Sequence, residues 1–596
     1  MSALLQSAAG LMKAGQFAQA ERLLADGLAT HPGDVEARHL RAMALGQLGR
    51  FDEGRAEFNS LAKKHPAPHA VLSNLGNLER RAGNLSAAAE AYRASLQIQP
   101  GFADAEFNFA IVLSETGDHE QAAGLFQGLS ERLPDPLAAL NGLGNALSAL
   151  ERHDAAIAAF DRALALRGDA VGVRINRAAV CRNAGRLAES LSELDRACRE
   201  APGFAEAHYQ RGNTLRTLGR TEDARAAYAE ALRHAPGRVD IHRELASLAW
   251  ESGAGQDATA AMDVQLAVRP DPDLALAKAR ILYRGGDLET ARAALDQALS
   301  WAPDHAEALA LRGEIRRVLR DGHAGLEDLE AAFAASEGRN CAIRHQLVEG
   351  RLAASDFAGA LALLGKEPEA AHLQKHVALK ALAWRGLGDP AYRDFYDYDR
   401  FTWAGTIRTP AGYDSLAAFN AELEAVIAKL HTTKAQPLEQ TLYGGTQSPG
   451  RLWNEKDPVI AALADSLLEA ADRFVAGLPH DPAHPFLRRK SNRLKLTGAW
   501  SVRLRSGGGH VDHVHPAGWI SACYYVAVPQ SVLDGERAGW LRLGASGVRG
   551  LDMAAERYLK PEPGRVIFFP SYMWHGVEPF AGDTLRVTAP FDLVPD

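Results

Sequence analysis

The 596-residue chain contains only four cysteines, Cys181, Cys198, Cys341 and Cys523, and none of them forms a Cys-x-x-Cys spacing. That scarcity argues against a disulfide framework and against a thiolate zinc motif, and gives each cysteine the expected role of a small buried apolar residue. Long hydrophobic runs are missing too. No stretch approaches the roughly 20 apolar residues that a membrane helix needs, and the start, Met1 to Lys13, lacks a basic segment followed by a continuous apolar core. The expectation is a cytoplasmic protein without a membrane partner. Nor is there a basic excess: 66 Lys and Arg stand against 74 Asp and Glu, a net charge of -8, which offers no footprint for nucleic acid. What is present is an ordinary globular composition, 47% hydrophobic and 23% charged, over a length that calls for several cores or a repeat array joined to a domain.

A repeat supplies the array. Pro32, Pro66, Pro100, Pro134, Pro202, Pro236 and Pro270 fall on a 34-residue grid, with Gly168 at the remaining position. A second grid runs 17 residues ahead through Gly15, Gly49, Gly83, Gly117, Gly185, Gly219 and Gly253, with Glu151 as its exception. Glycine lets a first helix end in a left-handed turn, and proline after a second helix cannot extend it, so each unit reads as a helical hairpin. This is the period of the tetratricopeptide repeat. Gly212 with Ala224 and Ala231, and Gly76 with Ala88, stand where that family packs small residues between helices. Later units drift, with Gly286 and Pro303 one residue short of the grid. An α-solenoid of about ten to eleven hairpins is expected over residues 1–390.

Such a superhelix offers a concave face to extended peptides. Asn74, Asn108 and Asn176 share one repeat position, and Asn77, Asn145 and Asn213 share another. Repeated amides can pair with the main chain of a protein or peptide partner without strong sequence demands, while tight helix packing is the alternative role for them.

Past residue 390 the periodicity stops, and residues 391–596 read as a second domain. Residues 414–430 and 457–477 have helical apolar spacing, and Tyr443-Gly-Gly-Thr-Gln-Ser-Pro-Gly450 reads as a loop. Short runs rich in Val, Ile, Phe, Tyr and Trp follow at 499–505, 519–528, 539–544, 565–570 and 585–593. They predict a jelly roll, a double-stranded β-helix with supporting helices.

Three histidines within six residues, His510, His513 and His515, precede one of these runs; His575 follows another, and Arg586 lies eleven residues beyond it. Two strand ends would deliver these ligands to a mononuclear metal site with open positions. Arg586 is spaced to hold the far carboxylate of 2-oxoglutarate in a fork-like pair, with Thr588 adding a hydroxyl. Two overlapping motifs compete for the metal. His510 with Asp512 provides the carboxylate that favours iron chemistry, whereas His513 and His515 point the same way by strand alternation and leave Asp512 on the other face.

The run His513-Val-His-Pro-Ala-Gly-Trp-Ile-Ser-Ala-Cys-Tyr-Tyr-Val526, together with Phe568-Phe-Pro-Ser-Tyr-Met-Trp-His-Gly-Val577 and Arg586, resembles a bacterial family of 2-oxoglutarate and Fe(II)-dependent oxygenases often fused to tetratricopeptide repeats. The resemblance implies His513, His515 and His575 as iron ligands, Arg586, Thr588 and Tyr525 as contacts to 2-oxoglutarate, and a dioxygenase that hydroxylates a protein or peptide brought by the repeats. A three-histidine cupin dioxygenase would use the same ligands without needing Arg586. A non-catalytic interaction scaffold would need only the repeats, and a structural zinc site would want cysteines that the domain lacks. Trp519, Trp540 and Trp574 read as walls of the sandwich.

Overall fold

The computed structural model describes residues 2–253, 255–431, 441–448, 452–455 and 457–596. It forms two compact units, Met1–Gly203 and Phe204–Asp596. No helix among the described residues is long and apolar enough to cross a membrane.

The first unit is a series of helical hairpins. In one of them the helices Pro68–Arg81 and Leu85–Ile98 pack at Gly76, where an added Cβ would come within 2.6 Å of the Tyr92 ring. Phe160 covers Gly144 in the same way two repeats later. The turns between helices follow the glycine grid: Gly15, Gly49, Gly83, Gly117 and Gly185 all have positive φ, and Glu151 takes the same conformation at φ 59°. Turn geometry thus holds at the position where the sequence departs from glycine, although a side chain in that region costs about 1–2 kcal/mol.

The second unit opens with further hairpins, from the helix Ala205–Thr217 to the long helix Ala370–Leu387. Its left-handed turns continue through Gly219, Gly253, Gly286, Arg320, Ser355 and Gly388. Left-handed turns thus continue as far as the end of that long helix, with Arg320 and Ser355 where glycine would be easier. Tetratricopeptide hairpins and an antiparallel sheet share this unit.

Among the described residues the sheet has ten strands: β1 Trp403–Thr406, β2 Leu442–Gln447, β3 Leu494–Ala499, β4 Val502–His513, β5 Ile520–Ala527, β6 Leu541–Leu543, β7 Arg557–Leu559, β8 Arg565–Pro570, β9 His575–Val577 and β10 Arg586–Pro595. Their order is β1-β8-β5-β10-β4-β9-β6-β7, with β2 added to β4 and β3 to β10, a jelly-roll-like arrangement in which every pairing is antiparallel. Helices Leu416–Leu430 and Pro458–Gly477 buttress it, Phe474 stacking on Phe568.

The Tyr443-Gly-Gly segment is part of a strand, β2, rather than a loop; Pro449 and Gly450 lie outside the described residues. Its glycines serve close approach of two backbones, since a Cβ on Gly445 would sit 2.5 Å from the Arg503 carbonyl and one on Gly444 2.7 Å from Gly508 Cα. The pairing with β4 shifts register between Tyr443 and Gly445, so the strand bulges at the glycines.

The last repeats and the sheet have a common apolar core, running from Val348 and Val377 to Trp519, Phe568 and Leu593. Polar ties reinforce it: Arg385 donates to the carbonyls of Gly544 and Ala554, and Trp574 Nε1 donates to the Ala378 carbonyl.

Candidate active site

The end of β4 faces β9, with His513 paired directly to His575, and the chain leaving β4 turns back so that the His515 N–H donates to the Ser571 carbonyl. These two constraints collect three imidazoles. Donor atoms of His513, His515 and His575 all lie within 4.8 Å of one another, and His513 Nε2 is 3.2 Å from His515 Nε2.

Each of the three rings is held by its other nitrogen. His513 Nδ1 lies 2.8 Å from the Val511 carbonyl, His575 Nδ1 2.9 Å from the Met573 carbonyl, and His515 Nδ1 2.6 Å from the Asp592 carboxylate. All three acceptors require a proton on Nδ1, so in a neutral ring Nε2 keeps its lone pair; that of His513 also has the Thr441 hydroxyl at 3.5 Å. Lone pairs at the His513–His515 separation repel unless a cation lies between them, and two imidazoles at right angles about a metal would be about 3.0 Å apart. This donor set therefore fits a metal ion, with the neighbouring acceptors fixing tautomer and ring orientation.

Electrostatics keep two of the three rings neutral and favour a proton on the third. Burial, then the neighbouring His515, pushes His513 down to about 3, and burial with the adjacent histidines holds His575 well below its ordinary value. Burial opposes charge on His515 as well, but the Asp592 carboxylate outweighs it and raises the ring. Asp592 itself accepts a second bond from Ser521, its cross-strand neighbour.

The alternative motif is arranged differently. Asp512 is gripped at both oxygens by Arg542, at 2.9 and 2.6 Å, and is absent from the histidine cluster. His510 lies beside the cluster, its ring 6.1 Å from that of His513 and its Nδ1 3.3 Å from the Thr441 hydroxyl. The charge of Arg586 reaches it.

Arg586 is 1% exposed, yet it has no carboxylate partner among the described residues. Its Nε donates to the Gly539 carbonyl while Nη2 is buried without an acceptor. The guanidinium lies over the Tyr525 ring at 5.1 Å, and the Tyr525 hydroxyl is likewise buried without a hydrogen-bond partner. Thr588 stands opposite Tyr525 in the pairing of β10 with β5 and is buried. A buried cation without a counter-ion costs several kcal/mol, which makes Arg586 a candidate to hold an anion.

The repeat asparagines divide by what packs beside them. The Tyr92 hydroxyl donates to Asn77, and the Tyr228 hydroxyl donates to Asn213. Asn74 contacts His39, Asn176 donates to Asn141, and Asn108 donates to the Asp104 carbonyl of its own helix. Asn145 is exposed, in the repeat where Phe160 replaces the tyrosine.

Residues 498–592 match the family described as "Putative 2OG-Fe(II) oxygenase", and residues 39–101, 107–171, 146–204, 209–275 and 276–339 match the tetratricopeptide repeat. The chain joins tetratricopeptide repeats to a domain of that oxygenase family. Mouse tetratricopeptide repeat protein 36 is 44% identical over 69 residues, 12% of this chain, and the match spans 37% of that protein's length. Among solved structures, yeast Tom70 is similar at 15% identity over 67% of this chain and 97% of its own (TM-score 0.36). YrrB, described as a TPR protein with an unusual peptide-binding site, is similar at 22% identity over 31% of this chain and 95% of its own (TM-score 0.26).

Within the oxygenase-family domain, sequence reasoning missed Asp592, Ser521 and Arg542. Asp592 sits in an unremarked Phe-Asp-Leu triplet, and only the register of β10 on β5 brings it behind His515. Arg542 lies in the short strand β6, whose pairing with β9 places it opposite Gly576.

Proposed function

We propose that the chain is a 2-oxoglutarate- and Fe(II)-dependent oxygenase that hydroxylates a protein or peptide brought to it by the repeats. In this reading Nε2 of His513, His515 and His575 hold Fe(II), while Arg586, Tyr525 and Thr588 hold 2-oxoglutarate. The unpaired, buried Arg586 beside three converging Nε2 lone pairs is the observation that carries it. A cupin-type site would have no use for that guanidinium.

Bound Fe(II) would supply activation of dioxygen, with 2-oxoglutarate giving two electrons and leaving as succinate and carbon dioxide while one oxygen atom enters the substrate C–H bond. The chain's own residues prepare for this. Arg586 pairs with the distal carboxylate and Tyr525 donates its hydroxyl to it, which satisfies both orphaned groups at once. Asp592 draws on the His515 Nδ1 proton, making that imidazole a stronger, more anionic donor. A carboxylate one hydrogen bond back thus offsets the absence of a carboxylate ligand in a site that iron oxygenases commonly build from two histidines and one carboxylate. Phe569, whose ring is 4.6 Å from that of His575, and the buried Trp574 line the domain around the site and limit water.

Support for a protein or peptide substrate comes from the repeats, whose stacked hairpins suit extended partners. Exposed Asn145, with no tyrosine hydroxyl to receive, offers an amide to such a chain. The test is aerobic turnover by the Fe(II)-loaded full chain. Succinate should form from 2-oxoglutarate, rise when the right peptide is added together with a one-oxygen gain in that peptide's mass, and fall to the metal-free background in Arg586→Met. Succinate formation that ignores Arg586→Met would overturn the assignment.

A further inference from the structure

A second set of ligand atoms lies in the last repeats, on the helices Cys341–Ala353 and Ala370–Leu387. The sequence spells Cys341-x-x-x-His345 on the first and His372-x-x-x-His376 on the second, so each pair shares one helix face. In the fold these faces meet: donor atoms of Cys341, His345 and His372 all lie within 4.8 Å of one another. The His345 ring is 6.1 Å from that of His372 and 5.8 Å from that of His376.

Two observations point to a ligand here. Cys341 Sγ stands 3.6 Å from His345 Nε2. A sulfur about 2.3 Å and a nitrogen about 2.1 Å from a tetrahedral zinc ion would be about 3.6 Å apart. His376, 1% exposed, has both ring nitrogens buried without a hydrogen-bond partner. Leaving an imidazole unsatisfied in the core costs roughly 1–3 kcal/mol, which a bound cation would remove. A plain S–H···N bond between Cys341 and His345 would account for the first observation and leave His372 and His376 unexplained.

We propose that Cys341, His345 and His372 hold a Zn²⁺ ion that pins these two helices together, with the neighbouring His376, whose donor atoms lie outside that set, turning in as the fourth ligand. One thiolate and three imidazoles make a closed, borderline-soft set that suits zinc and has no position for substrate, so the role is structural. It replaces the expectation that Cys341 is merely a small buried residue. The clamped helix is the one that the sheet leans on: the Lys375 ammonium lies over the Trp574 ring at 4.4 Å, and the Ala378 carbonyl accepts from Trp574 Nε1. Trp574 immediately precedes His575, so the ion would steady the base of the candidate active site without taking part in its chemistry.

The site is testable independently of the oxygenase reading by Co²⁺ titration of the full chain carrying His513→Ala and His575→Ala, which removes the histidine cluster of the candidate active site. The expected result is one Co²⁺ per chain with a thiolate-to-cobalt charge-transfer band and intense tetrahedral visible bands, both displaced by Zn²⁺. Adding Cys341→Ser should abolish the charge-transfer band, and adding His376→Ala should weaken Zn²⁺ binding at least tenfold. X-ray absorption of the zinc-loaded parent should show one sulfur and three nitrogen neighbours. A parent without the thiolate band, or a band that survives Cys341→Ser, would overturn the proposal; the parent spectrum decides this even if Cys341→Ser does not fold.

Discussion

His513 and His575 stand opposite each other across β4 and β9, their ring centroids 4.2 Å apart. Cross-strand neighbours are held at this spacing by the ladder itself, so two of the three candidate ligands are placed by backbone geometry. The third, His515, lies beyond the strand and depends on Asp592 for its orientation. That difference makes Asp592 the more revealing residue to change.

Asp592→Asn should keep the fold and weaken metal binding about 10–100-fold, because the amide can turn a donor toward His515 Nδ1 and no longer fixes the tautomer. Equilibrium binding of Fe(II) or Co²⁺ under anaerobic conditions measures this. Unchanged affinity would show that His515 is not a ligand.

Asp512→Asn separates the overlapping motifs. Asp512 neutralises Arg542, which also pairs with Glu578 at 2.8 Å. The variant should bind the same amount of iron as the parent while losing roughly 1–3 kcal/mol of stability in denaturant unfolding. His515→Ala should lose the iron instead. Loss of iron in the Asp512 variant would restore the His510 and Asp512 motif.

Arg320 is exposed and holds φ at 69° in a repeat turn. Arg320→Gly should stabilise the protein by roughly 0.5–1 kcal/mol, the relief of left-handed strain less the extra entropy of glycine in the unfolded chain. Denaturant midpoints of the two proteins provide the comparison, and a destabilised variant would mean that the side chain has a contact worth more than the strain.

His431 predicts a pH dependence. Its Nδ1 is 2.8 Å from the Thr446 hydroxyl and its Nε2 3.0 Å from the Ser501 hydroxyl, and burial, then the Arg503 charge, pushes it down to about 4. The unfolded ring titrates near pH 6.5, so between about pH 6.5 and 4 the unfolded state binds more protons. Stability from this residue is full above about pH 6.5 and is lost as the pH falls toward 4, by on the order of 3 kcal/mol. His431→Gln should flatten that part of the stability profile, and a profile as steep as the parent's would refute the assignment.

The repeat was legible because its signals are local. Glycine and proline mark turns wherever they occur, and even Glu151 follows the turn that its neighbours announce. Arg586 was legible as a candidate from its distance to His575, but its lack of a partner emerges only when the strands close around it. What stayed hidden depends on pairing across long separations. Gly444 and Gly445 read as part of a loop until β4 approaches their backbone, and Asp592 carries no motif until β10 aligns with β5. The asparagine ladder was visible as a pattern; whether an amide serves the groove or a tyrosine depends on a residue fifteen positions away, as Asn77 with Tyr92 and Asn145 with Phe160 show.

The most direct test of the central claim is an anaerobic titration of the Fe(II)-loaded chain with 2-oxoglutarate, followed by the visible metal-to-ligand charge-transfer band. The expected result is a saturable band that disappears in His575→Ala and that needs about 10–100-fold more 2-oxoglutarate in Arg586→Met. An iron-replete chain that gives no band, or a band indifferent to Arg586, would contradict it.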